Sequence, residues 1–493
     1  MVEQSGRRMP TRTLLAVFTA FLLGLTWPAA LNGGPFWHPD TSNYIRAADA
    51  AFVVVTGSPS EWSDRLKIGS TPITSPSKPG ATTVQPTRPV LKGRSIYYGA
   101  LLYLPIRWFG PLGAVFFQCS LVAATLSFIL SIVSRAVAFD KKMLALSVCA
   151  ISLASPLPLY SCTLMPDVWT GIFSAFFALA LFFRRQFTPV EFFAALVISA
   201  ILITFHTTNL LLALPIAFLG ITVTQIRERA MNAVFGAIIV TSFLVANFAF
   251  DYAVTKQTGA PPISPPFLTA RLVDQGPGNA YLENHCFSPS SFEICRYRGK
   301  LPKASDNFLW SQNRLNGVFQ IATPTSQRLL AAQDKRFFVA VALADPLRFI
   351  EHVAVSSVEG LADFSLRNFN LSELNRSGID KSYPPMVKAH ILGTRAYAGT
   401  FPLQKIEVLC AVGSMLSVFI LIYALMRAGK SALASQAGRY VAVLLVAIFA
   451  NALICGAFSK PDARYTMRML WLLPFAAGIA VASTGQRVMY KGE

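Results

Sequence analysis

Residues 14–31, LLAVFTAFLLGLTWPAAL, decide the fold, and the stretch His38-Pro39-Asp40-Thr41-Ser42-Asn43-Tyr44 stands just beyond them. Eighteen uncharged residues form a helix about 27 Å long, close to the thickness of a bilayer's hydrocarbon core. Arg7, Arg8 and Arg12 precede the run and orient it from the cytoplasm outward. A cleaved signal peptide, with Pro28-Ala29-Ala30 ahead of its cut, is the other reading. Both deliver residue 40 to the outer side, where a carboxylate can act at the membrane surface without being buried in lipid.

The rest of the chain repeats the theme. Of 493 residues, 53% are hydrophobic and 14% charged, with a mean hydropathy of +0.49; such a chain belongs in a membrane. A formal charge of +19 is accounted for by loop topology and anionic head groups, so nucleic acid is not an expected partner. The seven cysteines show no CxxC or Cys/His ligand spacing, and Cys119, Cys149, Cys410 and Cys455 sit in apolar runs. Cys286 and Cys295 lie close together in a polar region and read as a disulfide if that region is outside the cytoplasm.

The first outer loop, 32–110, holds a short helix after Asp40 and a Pro-, Ser- and Thr-rich stretch, Thr71 to Lys92, that reads as a mobile loop. Ile96 to Phe109, carrying Tyr97, Tyr98, Tyr103, Arg107 and Trp108, suits a helix lying in the interface. Spans are expected at about 111–134, 143–160, 168–183, 188–205, 209–226 and 232–252, then at 405–426, 440–458 and 468–485. Arg135, Lys141 and Lys142, then Arg184 and Arg185, then Arg227 and Arg229, then Arg427, Lys430 and Arg439 mark alternate connections as cytoplasmic. Arg487 and Lys491 place the C-terminus on that side too. From 256 to 403 no run is apolar enough to span; Pro261, Pro262, Pro265 and Pro266 open it, and Ser326 to Leu361 has helical periodicity. The expectation is an all-α polytopic membrane protein of roughly ten transmembrane helices, both termini cytoplasmic, divided into 1–255, an outer domain at 256–403, and 404–493.

This topology puts Asp40, Asp167, His206 and the cluster Lys460-Pro461-Asp462-Ala463-Arg464-Tyr465-Thr466-Met467-Arg468 on one outer face. Asp40 reads as a catalytic carboxylate or as a helix cap, Pro39-Asp40-Thr41-Ser42 being a good helix start; Asp167 has the same two readings. His206 ends a span and either bonds the last carbonyls or meets substrate. Arg464, Tyr465 and Arg468 begin an outside-to-inside helix, where guanidinium groups either hold an anion or snorkel to lipid. His38, Tyr44 and Tyr97 are weaker substrate-binding candidates. No acid or base stands near the middle of an expected span, and no inverted repeat is evident, which weighs against an ion-coupled transporter.

A carboxylate that takes a proton from a hydroxyl and a cationic pocket that holds a departing phosphate are what sugar transfer from a lipid phosphate needs. No cluster of acids or histidines demands a metal; a divalent ion is possible and not indicated, and no cofactor is required. An acid soon after the first span, a second acid in the next outer loop and an Arg-Tyr before the last helix resemble the GT-C superfamily of integral membrane glycosyltransferases. Protein O-mannosyltransferases, the bacterial lipid A aminoarabinose transferase and rhizobial lipopolysaccharide galacturonosyltransferases are of this character. The resemblance implies Asp40 as general base or acceptor-orienting acid, Asp167 as its helper, and Arg464 and Tyr465, with Arg468, near the lipid phosphate. It implies a polyprenyl-phosphate-linked sugar as donor, a lipid or glycan acceptor, membrane lipids as surroundings and the bacterial inner membrane as location. A single acid stands here in place of the mannosyltransferases' adjacent acidic pair. A lipid-linked sugar flippase or transporter, and an O-antigen-ligase- or polymerase-like enzyme with a diphosphate donor, are the alternatives.

Overall fold

In a computed structural model the chain is helical, and the structure describes residues 8–58, 60–62, 89–137, 139–274, 276–287, 292–371, 376, 378–379 and 382–489. Most of the stretch expected to be a mobile loop, 71–92, lies outside the described residues, as does Lys491. The chain opens with α1 (Thr11–Asn32), α2 (Thr41–Thr56) and α3 (Ile96–Val133). It continues through α4 (Lys141–Leu153), α5 (Leu157–Ser161), α6 (Asp167–Phe182), α7 (Pro189–Leu202), α8 (Thr207–Thr222) and α9 (Ile226–Thr258). The region between α9 and the last membrane helices holds α10 (Phe267–Val273), α11 (Pro277–His285), α12 (Ser305–Trp310), α13 (Pro324–Ala344), α14 (Pro346–Ala362), α15 (Pro385–Leu392) and α16 (Arg395–Ala398). The chain then closes with α17 (Leu403–Ala428), α18 (Gln436–Phe458), α19 (Ala463–Met467) and α20 (Leu472–Met489).

Six stretches among the described residues are long and apolar enough to cross a membrane: α1, α3, α9, α17, α18 and Ala463–Thr484. α6, α7 and α8 are apolar but shorter. Every residue of α6 is buried, so it is the hub of the bundle, apolar all round because protein surrounds it. At 16 residues it reaches about 24 Å, and a helix that meets no lipid need not match the bilayer's thickness.

Breaks in the helices have local causes. α3 bends at Gly110, whose φ of 69° and ψ of −174° interrupt the helix before Pro111. An L side chain there would be strained although nothing crowds the site. The arm before the bend exposes Trp108 and Phe109, as an interfacial helix does; the arm after it turns inward. The expected span 143–160 instead breaks at Ser155-Pro156, between α4 and α5. The expected helix from Arg464 onward breaks at 468–471, because Pro474 has no N–H for the Leu470 carbonyl and would clash with it in a continuous helix. Pro346 likewise separates α13 from α14, with the Asp345 carboxylate accepting from the Arg348 N–H at 3.1 Å.

The basic connections meet at one end of the bundle. Arg135 makes a two-pronged pair with Glu191 and donates to the Gln186 carbonyl, Arg185 pairs with Glu228 at 2.7 Å, and Arg439 donates to the Val223 carbonyl at 2.9 Å. Asp40, Asp167 and the 462–468 segment gather elsewhere, around one another. Two hydrophobic cores form among the described residues. The larger holds the membrane helices, α2 and residues such as Leu366, Tyr383 and Phe401. A smaller one, from Ala270 to Val341, fills the region after α9 and carries the joined Cys286–Cys295 pair, with Cα atoms 5.4 Å apart.

Candidate functional site

Two short ladders bring the distant segments together. Phe36 and Thr163 form an isolated parallel bridge, the Phe36 N–H reaching the Cys162 carbonyl at 2.9 Å; this lays the Asp40 loop beside the Asp167 loop. Buried Gln118 donates to the Ser161 and Thr163 carbonyls, both at 2.8 Å, and fixes the same turn. A second bridge, Leu91 to Ile263, together with the Lys92–Asp251 ion pair at 2.6 Å, delivers Arg94. On the far side, the Tyr383 hydroxyl donates to the His38 carbonyl at 2.7 Å.

Asp40 does not cap α2: its carboxylate makes no capping bond to the helix and instead accepts from Arg94 Nη2 at 2.6 Å. His38 joins it to the C-terminal cluster. Arg464 Nη1 meets His38 Nε2 at 2.9 Å, and His38 Nδ1 lies 3.8 Å from Asp40 Oδ2. The same Nδ1 accepts from the Asp40 backbone N–H at 3.3 Å, so the imidazole bridges the arginine and the Asp40 turn. Arg464 Nη2 also donates to the Tyr465 hydroxyl at 3.1 Å. The Tyr465 ring lies under both Arg464 and Arg468, 4.9 and 5.0 Å from its centroid.

Asp167, likewise free of any capping bond, accepts from Arg468 Nη1 at 3.0 Å and lies 3.9 Å from Arg464 Nε. Gly171 on the same helix permits this approach: a Cβ there would fall 2.4 Å from Trp471 Nε1 and 3.1 Å from the Arg468 carbonyl oxygen. Arg468 is sealed from solvent, its other prong donating to Asn451 Oδ1 at 2.9 Å. It therefore holds Asp167 and Tyr465 in place and has no face open to a ligand. The accessible groups are His38, Asp40 and Arg94, with side chains 23%, 21% and 24% exposed, and Arg464, 15% exposed.

The expected site residues divide accordingly. Asp40, Asp167, His38, Arg464, Tyr465 and Arg468 form one network, and Tyr44 and His206 feel its charges. His206 bonds forward, not back: its Nδ1 accepts from the Thr208 N–H at 3.1 Å and caps α8, which corrects the expectation that it serves the carbonyls of the preceding helix. Tyr97 is not drawn in; its hydroxyl donates to the Ala246 carbonyl at 2.6 Å and ties the interfacial arm to α9. Arg94 was missed by sequence reasoning, although the expected topology puts it, like Arg464, on the outer face against the positive-inside bias. Among the described residues no group of three or more His, Cys, Asp or Glu is placed to hold a metal ion.

Burial would raise the Asp40 carboxyl, but Arg94 beside it, then His38 and Arg464, outweigh that and hold it well below the usual carboxylate range. Burial, and then Arg464, lower His38 from 6.5 to about 4, against the opposing pull of Asp40. His38 is thus neutral at pH 7. Between pH 6.5 and about 4 the unfolded chain binds the proton and the folded one resists it, so stability falls as the pH drops through that window. Thermal unfolding of detergent-solubilised protein is expected to show this acid sensitivity reduced in His38→Gln; an unchanged pH profile would contradict it.

Fold and site together define a helical membrane protein with a charged cluster where the segment between α1 and α3 meets the C-terminal helices. Comparison with protein-family models, with curated proteins and with solved structures finds no match.

Proposed function

We propose that the chain is an inverting membrane glycosyltransferase of GT-C character. It moves a sugar from a polyprenyl-phosphate donor to a hydroxyl acceptor at the outer face of a bacterial cytoplasmic membrane. The observation that carries the reading is the continuous row Arg464–His38–Asp40–Arg94, which sets a partly exposed carboxylate between two arginines. In the reaction the anomeric carbon's bond to the phosphate oxygen breaks as its bond to the acceptor oxygen forms on the opposite face. The acceptor's proton passes to Asp40, and the polyprenyl phosphate departs as the dianion, received by Arg464 and Tyr465. The permanent charge on Asp40 also stabilises the oxocarbenium character of the transition state. Donor binding neutralises Arg464, one of the charges that depress Asp40, so the carboxylate becomes more basic once the donor is seated.

Charge favours a monophosphate donor over a diphosphate. Three guanidinium groups, Arg94, Arg464 and Arg468, face two carboxylates, Asp40 and Asp167, leaving a single excess positive charge to match a sugar phosphodiester. The Cys286–Cys295 pair in the outer region fits an oxidising compartment. The meeting of the basic connections at one end fits a topology of about ten crossings with both termini cytoplasmic.

Binding of radiolabelled undecaprenyl phosphate to the solubilised chain tests the reading, read beside mass profiles of envelope glycans from cells with and without the gene. Arg464→Ala is expected to weaken binding by about tenfold or more, the loss of a charge-assisted contact, and to remove the glycan product. A wild-type protein that leaves every glycan unchanged would sink the transferase, and transport of the lipid-linked sugar in its place would favour a flippase.

A further inference from the structure

We infer that the exposed face of Trp310, on the helix whose Asp306 pairs with Lys460, is the subsite for a saccharide acceptor, on the Arg94 side of Asp40. The inference rests on the transferase reading and adds the class of acceptor and where it lies. α12 buries Phe308 and Leu309 in the smaller core but leaves Trp310 38% exposed. The Trp310 ring lies 6.0 Å from the Arg94 guanidinium, which itself grips Asp40, and is braced by Phe267 at 6.2 Å. From the same short helix Asp306 reaches over to Lys460, the residue that leads into the Asp462–Arg464 segment.

The sequence of contacts assigns the two ends. Arg464 touches His38, His38 faces Asp40, Asp40 binds Arg94, and Arg94 faces Trp310. With a leaving phosphate at Arg464 and Tyr465 and the carboxylate in the middle, the attacking hydroxyl comes from the Trp310 end. A sugar ring suits that end. Its polarised C–H edges lie well against the electron-rich face of an indole, and the Asp306–Lys460 pair, its acid one helical turn away on α12, offers polar partners for its hydroxyls. Trp108, also exposed, has a different setting: it lies on the interfacial arm, where an indole suits the head-group region.

The test uses the full chain and its Trp310→Ala and Trp310→Phe variants, each read for radiolabelled undecaprenyl phosphate binding and, in cells lacking the wild-type gene, for the envelope glycan product. Trp310→Ala is expected to bind undecaprenyl phosphate within about twofold of wild type and to make product at about a tenth of the rate or less, the scale of one lost stacking contact. Trp310→Phe is expected to restore most of the product. Normal product from Trp310→Ala overturns the subsite while leaving the transferase intact. Equal loss of lipid binding and product in both variants overturns the assignment to the acceptor end, and product found on peptide overturns the saccharide. A wild-type chain that neither binds undecaprenyl phosphate nor alters any glycan removes the transferase reading, and the subsite with it.

Discussion

Asp40→Asn is expected to cut sugar transfer by about 10²- to 10⁴-fold, the usual worth of a positioned acid or base, while donor binding stays equal or tightens. The two effects oppose each other for a physical reason. Asparagine keeps the shape and can still accept from Arg94, now 2.6 Å from the carboxylate, but it neither takes up a proton nor offsets Arg94 and Arg464. The cluster becomes more cationic, so an anionic lipid phosphate binds at least as well. Undecaprenyl phosphate binding and glycan output measured on the same preparation separate the two. A variant that transfers at the wild-type rate would remove Asp40 from the chemistry, and one that loses both would indicate a structural role.

Arg468→Met is expected to be the most destabilising single change at the site, by about 3–5 kcal/mol, because it strands a buried carboxylate. Asp167 is enclosed and its short contact is to Arg468; Arg464 Nε, at 3.9 Å, is too distant to replace it at hydrogen-bonding range. Asn451 Oδ1 loses its guanidinium donor as well, keeping only the long contact from the Cys455 thiol. The double variant Asp167→Asn, Arg468→Met removes the stranded charge and is expected to recover part of the loss. Thermal unfolding in detergent followed by tryptophan fluorescence decides it: a wild-type melting temperature for Arg468→Met would show that the pair contributes little.

Much of the architecture was legible from runs and punctuation. Apolar length marked the six long helices, the aromatic stretch Ile96 to Phe109 ahead of a span from 111 marked two arms that the structure joins at Gly110, and the spacing of Cys286 and Cys295 marked a bridge. Harder to read were breaks inside apolar runs. Pro474 explains the interruption at 468–471 once seen, but a proline in a first turn is as often compatible with a helix as disruptive. At the site, topology alone placed Asp40, Asp167 and Arg464 on one face, which their contacts in the fold satisfy. Pairing was not legible. Local sequence offered each acid a helix to cap, and both turned instead to arginines, Asp40 to one 54 residues on and Asp167 to one 301 residues on. A charge-assisted bond in a half-dry cleft outweighs a cap, and only the tertiary fold says that a guanidinium is within reach. Arg94 went unnoticed for that reason.

Among the described residues the apolar interior divides into a large cluster and a small one that carries its own sulfur bridge, and the two regions meet where Phe338 packs against Phe458 and Arg271 donates to the Gly456 carbonyl. Trp310 rides with the lesser cluster and Asp40 with the greater. Loosening at that seam would part the indole from the carboxylate before helix content fell, so inactivation would run ahead of any loss of helical signal.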